Sequence, residues 1–275
     1  MRKEQIYMRM FVHIILAFGA ITMIAPFIWM VSTSLKSLSE VFVFPPTLFG
    51  ESLRWNNYLQ ISERFPFSIF FLNSLKIAVL VTAGQLFTCS LGGYSFARLK
   101  FPGRDIIFLL YLATLMIPYF VIVIPIFIMM RSFGWVDTHY ALIVPGLFSA
   151  FGTFLMKQFF LTIPRELEDA AKIDGCTPFG IYRRIFLPLS KPALAALGIF
   201  TFMWSWNDFL APLIFLNTMT KRTIPLGLAV MQGLYSTDWP VLMAASVLSV
   251  MPIIIVFLCA QELFVKGITL SGLKG

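Results

Sequence analysis

The sequence predicts an all-α membrane protein with six transmembrane helices. Three observations predict it. Of the 275 residues, 59% are hydrophobic and 12% are charged, with mean hydropathy +0.85, whereas soluble domains carry about 25% charged residues. Six windows stay apolar over the roughly 20 residues that a membrane-crossing helix requires. Lysine and arginine crowd into alternate connections, the asymmetry expected when successive loops lie on opposite sides of a bilayer.

The expected spans cover about 10–33, 69–97, 105–130, 139–160, 192–217 and 240–264, within one transmembrane domain over 1–275. The first holds no Lys, Arg, Asp or Glu. It lacks an A-x-A-like cleavage site and exceeds the roughly 7–15 apolar residues of a signal-peptide core, so it reads as a retained span. The connection over 34–67 is the longest. Pro45, Pro46 and Pro66 break it, and Arg54-Trp55-Asn56-Asn57-Tyr58 reads as an interfacial cap.

The second span carries Lys76, read as snorkelling to the interface, and an unusual set of polar residues: Asn73, Gln85, Ser90, Tyr94 and Ser95. These either line a hydrophilic path or link helices. The third contains Pro118 and Pro125, and the fourth Pro145-Gly146 and Gly152. Prolines kink membrane helices where neighbours re-satisfy the freed carbonyls. The fifth carries a single acid, Asp208, and the sixth has no charge over 239–261.

With the N-terminus placed inside, fourteen Lys and Arg fall on the inner side and seven on the outer. That bias puts both termini and the 161–191 loop in the cytoplasm. It also explains the +8 net charge without nucleic acid. Cys89, Cys176 and Cys259 are scattered and odd in number, which argues against a disulfide framework or a metal site. Six spans without an internal repeat suggest that this chain supplies half of a two-fold pore.

Ten of the 34 charged residues fall between Lys157 and Lys191, an island between apolar stretches. Pro164 suits the first position of a helix. Glu166, Glu168 and Asp169 suit its first turns, and Gly175 its stop. Thr177 and Pro178 cap and begin a second helix, expected to run to Leu187 and end at Pro188. The first helix, about ten residues and about 15 Å long, is marginal alone. Leu167, Ala170 and Ala171 share a face rimmed by Glu168, Asp169 and Lys172, the pattern of a small docking helix.

Asp169-Ala170-Ala171, then Gly175, then Ile185-Phe186-Leu187-Pro188 resemble the signature loop of ABC importer permeases, with aspartate where the family has glutamate. Trp206-Asn207-Asp208-Phe209 and the tail from Lys266 to Gly275 resemble the smaller permease subunit of maltose-type sugar importers. The likeness covers nearly the whole chain. It implies the type I ABC importer permease fold in a bacterial or archaeal cytoplasmic membrane. It implies coupling through Glu166, Glu168, Asp169, Ala170, Ala171, Asp174, Gly175, Ile185, Leu187 and Pro188. The implied partners are a homologous second permease, two ATPase subunits and an extracytoplasmic solute-binding protein. The sequence contains no Walker motif, so ATP and Mg belong on the partner ATPases. No cofactor, metal or catalytic residue is expected in this chain.

Asp208 is read as a gate or inter-helix residue, since an intramembrane carboxylate is functional by default. Asn73, Gln85, Tyr94, Trp204 and Asn207 complete the cavity or gate candidates, with packing as the alternative for Trp204 and Trp206. Residues 224–231 read as a short apolar helix. The following tip, Tyr235-Ser236-Thr237-Asp238-Trp239, is either a binding-protein contact or a plain outer turn. The tail over 267–275 is either disordered or, by the resemblance, reaches between the ATPase subunits. The expected cargo is a sugar, oligosaccharide or glycoside, with a glycerol-phosphate-type solute as runner-up. An ion-coupled carrier would need paired intramembrane charges and inverted repeats, and a channel a filter sequence.

Overall fold

The computed structural model describes residues 2–233 and 236–272, with side chains over 7–233, 236–259 and at 261. Among the described residues all regular structure is helical. Four helices are long and apolar enough to cross a membrane, or six spans if each of two bent pairs counts as one. The chain divides into two compact units, one from 1–68 with 227–251 and the other from 69–226 with 252–275.

In the first unit, α1 (Arg2–Ser34) presents apolar side chains to all sides, with Phe18, Ile21 and Met23 exposed. An apolar surface of this kind suits lipid or a partner. The chain then folds back tightly. The Glu40 carboxylate accepts from the Ser37 amide at 2.7 Å and the Glu51 amide at 2.9 Å, and these bonds hold its pKa down to about 2. Asn57, in α2 (Asn56–Arg64), donates to the carbonyls of Ser34 and Lys36 at 2.8 and 2.9 Å. The expected interfacial cap is therefore partly a buried clamp. Asn57 turns inward to the carbonyls at and just beyond the end of α1, where helical partners run out. Lys36 is buried too, donating to the Thr47 carbonyl and lying over the Trp29 ring.

The second unit is built on α3 (Phe67–Arg98), which enters it at Ile69. The third expected span is two helices, α4 (Arg104–Ala113) with its following turn and α5 (Tyr119–Ser132), bent by 102°. Pro118 fixes the break: it cannot donate a backbone hydrogen bond, and it biases Ile117 to the extended conformation seen there, ψ 115°. The fourth is α6 (Tyr140–Gly146) and α7 (Ala150–Thr162). After the island, α8 (Arg165–Ile173) and α9 (Pro178–Leu189), the fifth expected span opens with α10 (Lys191–Asn207).

That span does not continue as one helix to 217. It breaks at Asp208 and resumes as α11 (Leu210–Phe215). The expected short apolar helix forms over the same residues, α12 (Ile224–Met231). The last helix, α13 (Trp239–Gly272), runs past the expected end at 264. The backbone of the tail is thus helical through Gly272, and residues 273–275 lie outside the described part.

Small residues let α3 approach the fourth span closely. A Cβ on Gly93 would stand 2.6 Å from Cβ of Met156 and 2.8 Å from the Lys157 amide, so backbone meets backbone there. One apolar core gathers Tyr94, Met156, Phe160, Ala171, Tyr182 and Phe186 beside the island. A second gathers Ile77, Val81, Met130, Leu142 and Phe215 towards the other ends of the same helices.

Candidate functional site

The island is a helix-turn-helix whose local chemistry follows the sequence closely. Pro164 sits one position earlier than expected, as the residue preceding α8. Gly175 has φ +78°, the left-handed conformation that glycine adopts without strain. Its amide bonds to Lys172 O and the Cys176 amide to Ala171 O, at 3.0 and 2.9 Å, closing the helix end. Thr177 Oγ1 accepts from the Gly180 amide at 3.2 Å, with Pro178 opening α9.

The expectation that Pro188 ends this helix is corrected: α9 runs on to Leu189. A π turn over Tyr182–Phe186 precedes the proline. There the Leu187 amide bonds five residues back to Tyr182 O. That wider turn changes the register of the carbonyls that the proline ring would otherwise meet.

The expected docking face is also divided. Ala171 and Glu168 are buried against the fold, whereas Leu167, Ala170, Asp169 and Glu166 are exposed. Glu168 Oε1 pairs with Lys172 Nζ at 2.7 Å, and Oε2 lies 3.6 Å from Arg98 Nη1. The Glu168 hydrogen bond raises the Lys172 pKa. Asp169 is 66% exposed in its side chain, with Lys172 at 3.5 Å as its ion pair. Asp174 is exposed beside Gly175. Ile185 and Leu187 are half-buried against the core that holds Phe186, and Pro188 is exposed.

The polar residues singled out along α3 reach neighbouring elements or their own helix. Asn73 donates to Thr220 O and Arg222 O at 2.9 and 3.0 Å. Gln85 donates to Gly146 O at 2.9 Å and accepts from Thr201 Oγ1 at 3.0 Å. Ser90 shares a 2.8 Å bond with Tyr182 Oη, and Tyr94 Oη donates to Pro178 O at 3.0 Å. Ser95 bonds back to Leu91 O at 2.9 Å. Thr88 donates to Leu147 O at 2.6 Å and Cys89 approaches Ser149 O at 3.5 Å. Gln85 and Thr88 thus serve carbonyls at the break in the fourth span, as membrane backbone demands. Asn73, Gln85, Ser90 and Tyr94 bond across to other elements, whereas Ser95 bonds only within its own helix.

Asp208 stands at the helix break rather than on a helix face. Its Oδ1 accepts from the Ala211 amide at 3.3 Å, a cap for the first turn of α11. Asn207 is exposed and donates to Met203 O at 2.8 Å in its own helix. Trp204 is 81% exposed. Trp206 is buried and stacks on Phe202 with centroids 5.6 Å apart, its edge meeting Phe71.

One further cluster was not singled out in the sequence. Asp137, at φ +60°, accepts from the Asn217 and Thr218 amides at 2.9 Å each, from Thr218 Oγ1 at 2.6 Å and from Lys221 Nζ at 3.0 Å. Its own amide donates to Phe215 O at 2.7 Å. The Thr218 hydroxyl, foremost among these donors, holds the Asp137 pKa well below the usual carboxylate range. This clasp joins two loops about eighty residues apart. The only sequence signal was an aspartate closing a short turn, and nothing local indicates its partner.

Residues 90–270 match the family described as binding-protein-dependent transport system inner membrane component. The chain belongs to this family. The permease is 37% identical to the arabinooligosaccharides transport system permease protein of Halalkalibacterium halodurans, over 89% of this chain and 86% of that one. It is 36% identical to the sulfoquinovosyl glycerol transport system permease protein of Agrobacterium fabrum, over 91% and 88%. It is 34% identical to the sn-glycerol-3-phosphate transport system permease protein of Pectobacterium atrosepticum, over 94% and 95%. A crystal structure of a bacterial ABC transporter involved in alginate import contains a chain of the same fold, with TM-score 0.83 and 23% identity over 96% of this chain and 98% of that one. The protein is therefore a multi-pass, all-helical permease subunit of an ABC importer, and the resemblance read from the island and the Trp206 motif is borne out.

Of the outer-tip residues, Tyr235 lies outside the described part of the permease. Asp238 is engaged within its own unit: Oδ2 pairs with Arg64 Nη1 at 2.6 Å and Oδ1 accepts from the Val241 amide at 3.3 Å. Ser236 is exposed, and Thr237 is half-buried. Trp239 is 37% exposed. Among the described residues no group of three His, Cys, Asp or Glu side chains is placed to hold a metal. The three cysteines are free thiols.

Proposed function

We propose that this permease translocates a sugar, oligosaccharide or glycoside delivered by a solute-binding protein, driven by ATP hydrolysed on two separate subunits that engage α8. The observation that carries the coupling reading is α8 itself. It is a nine-residue helix that presents Glu166, Leu167, Asp169, Ala170 and Ile173 to water while its other side is locked into the fold. An exposed Leu and Ile beside carboxylates suit a cleft with apolar walls and a basic rim. Relatives named for arabinooligosaccharide, sulfoquinovosyl glycerol and lactose transport support the cargo class. The glycerol-3-phosphate relative supports the second reading, a glycerol phosphate.

In this reading both termini and the 161–191 loop are cytoplasmic, as the fourteen-to-seven basic distribution indicates. A homologous second permease completes the pathway and covers the apolar sides of α1. ATP and Mg act on the partner ATPases, and the membrane is a bacterial or archaeal cytoplasmic membrane. The full assembly in vesicles, with binding protein, should take up radiolabelled oligosaccharide only when ATP is supplied on the α8 side. Uptake driven by an ion gradient without ATP would overturn the coupling. Glycerol phosphate uptake without sugar uptake would decide for the second cargo. Membrane-impermeant thiol reagent outside sealed cells should leave Cys176 unlabelled, and its labelling would reverse the topology.

A further inference from the structure

The two neighbouring acids of α8, Glu168 and Asp169, face opposite ways. Asp169 points to water, whereas the Glu168 side chain is only 9% exposed. Beneath it stands Arg98, the last residue of α3, with its side chain 4% exposed. Its Nη2 donates to Phe160 O at 2.5 Å and to Ile163 O, two carbonyls at the end of α7, the first of which also accepts the Ile163 amide at 3.3 Å. The guanidinium lies 4.9 Å from the centre of the Phe186 ring in α9, and Nη1 faces Glu168 across 3.6 Å. One side chain of α3 therefore touches the end of α7, the island helix α8 and the π turn of α9.

We propose that Arg98 is a positioning residue that makes α8 and the membrane helices move as one body, with Glu168 as its internal anchor and Asp169 left to meet the ATPase. This rests on the reading of α8 as the docking helix. A docking helix transmits force only if its attachment to the spans is stiffer than its hinges. A loop joined by Gly175 and by the short link between α7 and α8 offers no such stiffness through the chain. The buried Arg98 supplies it, because its fork bonds two carbonyls in set directions and its charge faces the Glu168 carboxylate across 3.6 Å. Moving α8 alone would strand a guanidinium and a carboxylate in an apolar core, which is costly. Lys172, bonded to the outer oxygen of Glu168, completes the charge balance at the surface.

The test uses the complete assembly carrying Arg98→Gln, Arg98→Lys, Glu168→Gln, Asp169→Lys or the double Arg98→Gln/Glu168→Gln change. Three quantities are read: ATPase retained on purification, binding-protein-stimulated ATP hydrolysis, and solute imported per ATP. Arg98→Gln and Glu168→Gln should keep the ATPase bound and still hydrolyse ATP, but import about tenfold less solute per ATP, within the range of coupling changes along a mechanical network. Arg98→Lys, which keeps a cation and donors, should recover part of that ratio. The double variant should be no worse than the worse single one, since both remove the same joint.

An unchanged ratio in Glu168→Gln with assembly intact would overturn the proposal. So would loss of the ATPase in Glu168→Gln, which would make Glu168 a docking contact. Glu168→Gln leaves the two carbonyl bonds of Arg98 in place, so it carries the test should Arg98→Gln fail to assemble. Retention of the ATPase by Asp169→Lys would instead sink the docking reading itself.

Discussion

The island around Arg98 and the clasp around Asp137 are both charged clusters that tie distant parts of one helical unit together, yet they are built in opposite ways. The island draws most of its charge from one stretch of sequence and keeps most of it facing water, with Asp169 out and Glu168 in. The clasp uses one aspartate and one lysine from two loops and turns almost every donor onto the single Asp137 carboxylate. A cluster that leaves charge unspent at the surface is equipped to engage something else. A cluster whose charge is consumed internally holds a shape. The difference suits the island to the partner contact proposed for it and the clasp to the restraint of a loop.

The largest effects should come from the island's outward side. Asp169→Lys should detach the ATPase on purification and abolish uptake, because it sets a cation against the basic rim expected of the partner. Gly175→Val should be equally damaging, since a β-branched residue is strained at φ +78°. If both variants keep normal association and transport, the contrast between the two clusters fails.

At the clasp, Asp137→Ala should lower stability by about 2 kcal/mol, the scale of hydrogen bonds to a charged group, without affecting how much ATPase binds. The carboxylate's pKa is lowered in the folded protein from an ordinary 3.8. Its stabilisation is therefore fully present above pH 3.8 and is lost as pH falls below that towards the lowered value. The thermal midpoint of Asp137→Asn should accordingly change less than that of the parent between pH 5 and about pH 3. Parallel losses in both proteins would mean that the clasp adds nothing.

Asp208 sharpens the picture, because it caps the start of α11 while Asp137 secures its end at Phe215 and Asn217. Asp208→Ala should cost about 1 kcal/mol as a lost cap and reduce transport with it. Asp208→Asn should stay close to the parent, since asparagine caps as well as aspartate. A changed sugar preference in Asp208→Asn at normal stability would place this residue in the cargo path instead. The smallest effect is expected at the tail. Deleting 271–275 should leave assembly intact and lower stimulated ATPase activity modestly, and unchanged stimulation would detach the tail from coupling.

How legible each part was depends on how local its physics is. Gly175, Thr177 and Pro178 could be placed from sequence because a left-handed stop, a side-chain cap and a first-turn proline involve residues within about three positions. The membrane class followed from composition, since the cost of exposing or burying apolar surface is additive along a chain. The helix break at Asp208 is not legible in the sequence, because hydropathy measures transfer and is blind to where a helix breaks. Pro188 was misread as a stop because the π turn that accommodates it depends on Tyr182 and Phe186 being packed.

By itself the sequence determined that this is a multi-pass helical membrane protein with a charged island, because apolar length and turn chemistry are properties of contiguous residues. Only the tertiary structure decided that Glu168 faces inward and Asp169 outward, that Gln85 and Thr88 serve the broken fourth span, and that Asp137 holds a loop eighty residues away. Those outcomes depend on which buried polar group meets which donor, and a group withdrawn from water must find its partner wherever the packing of helices brings one.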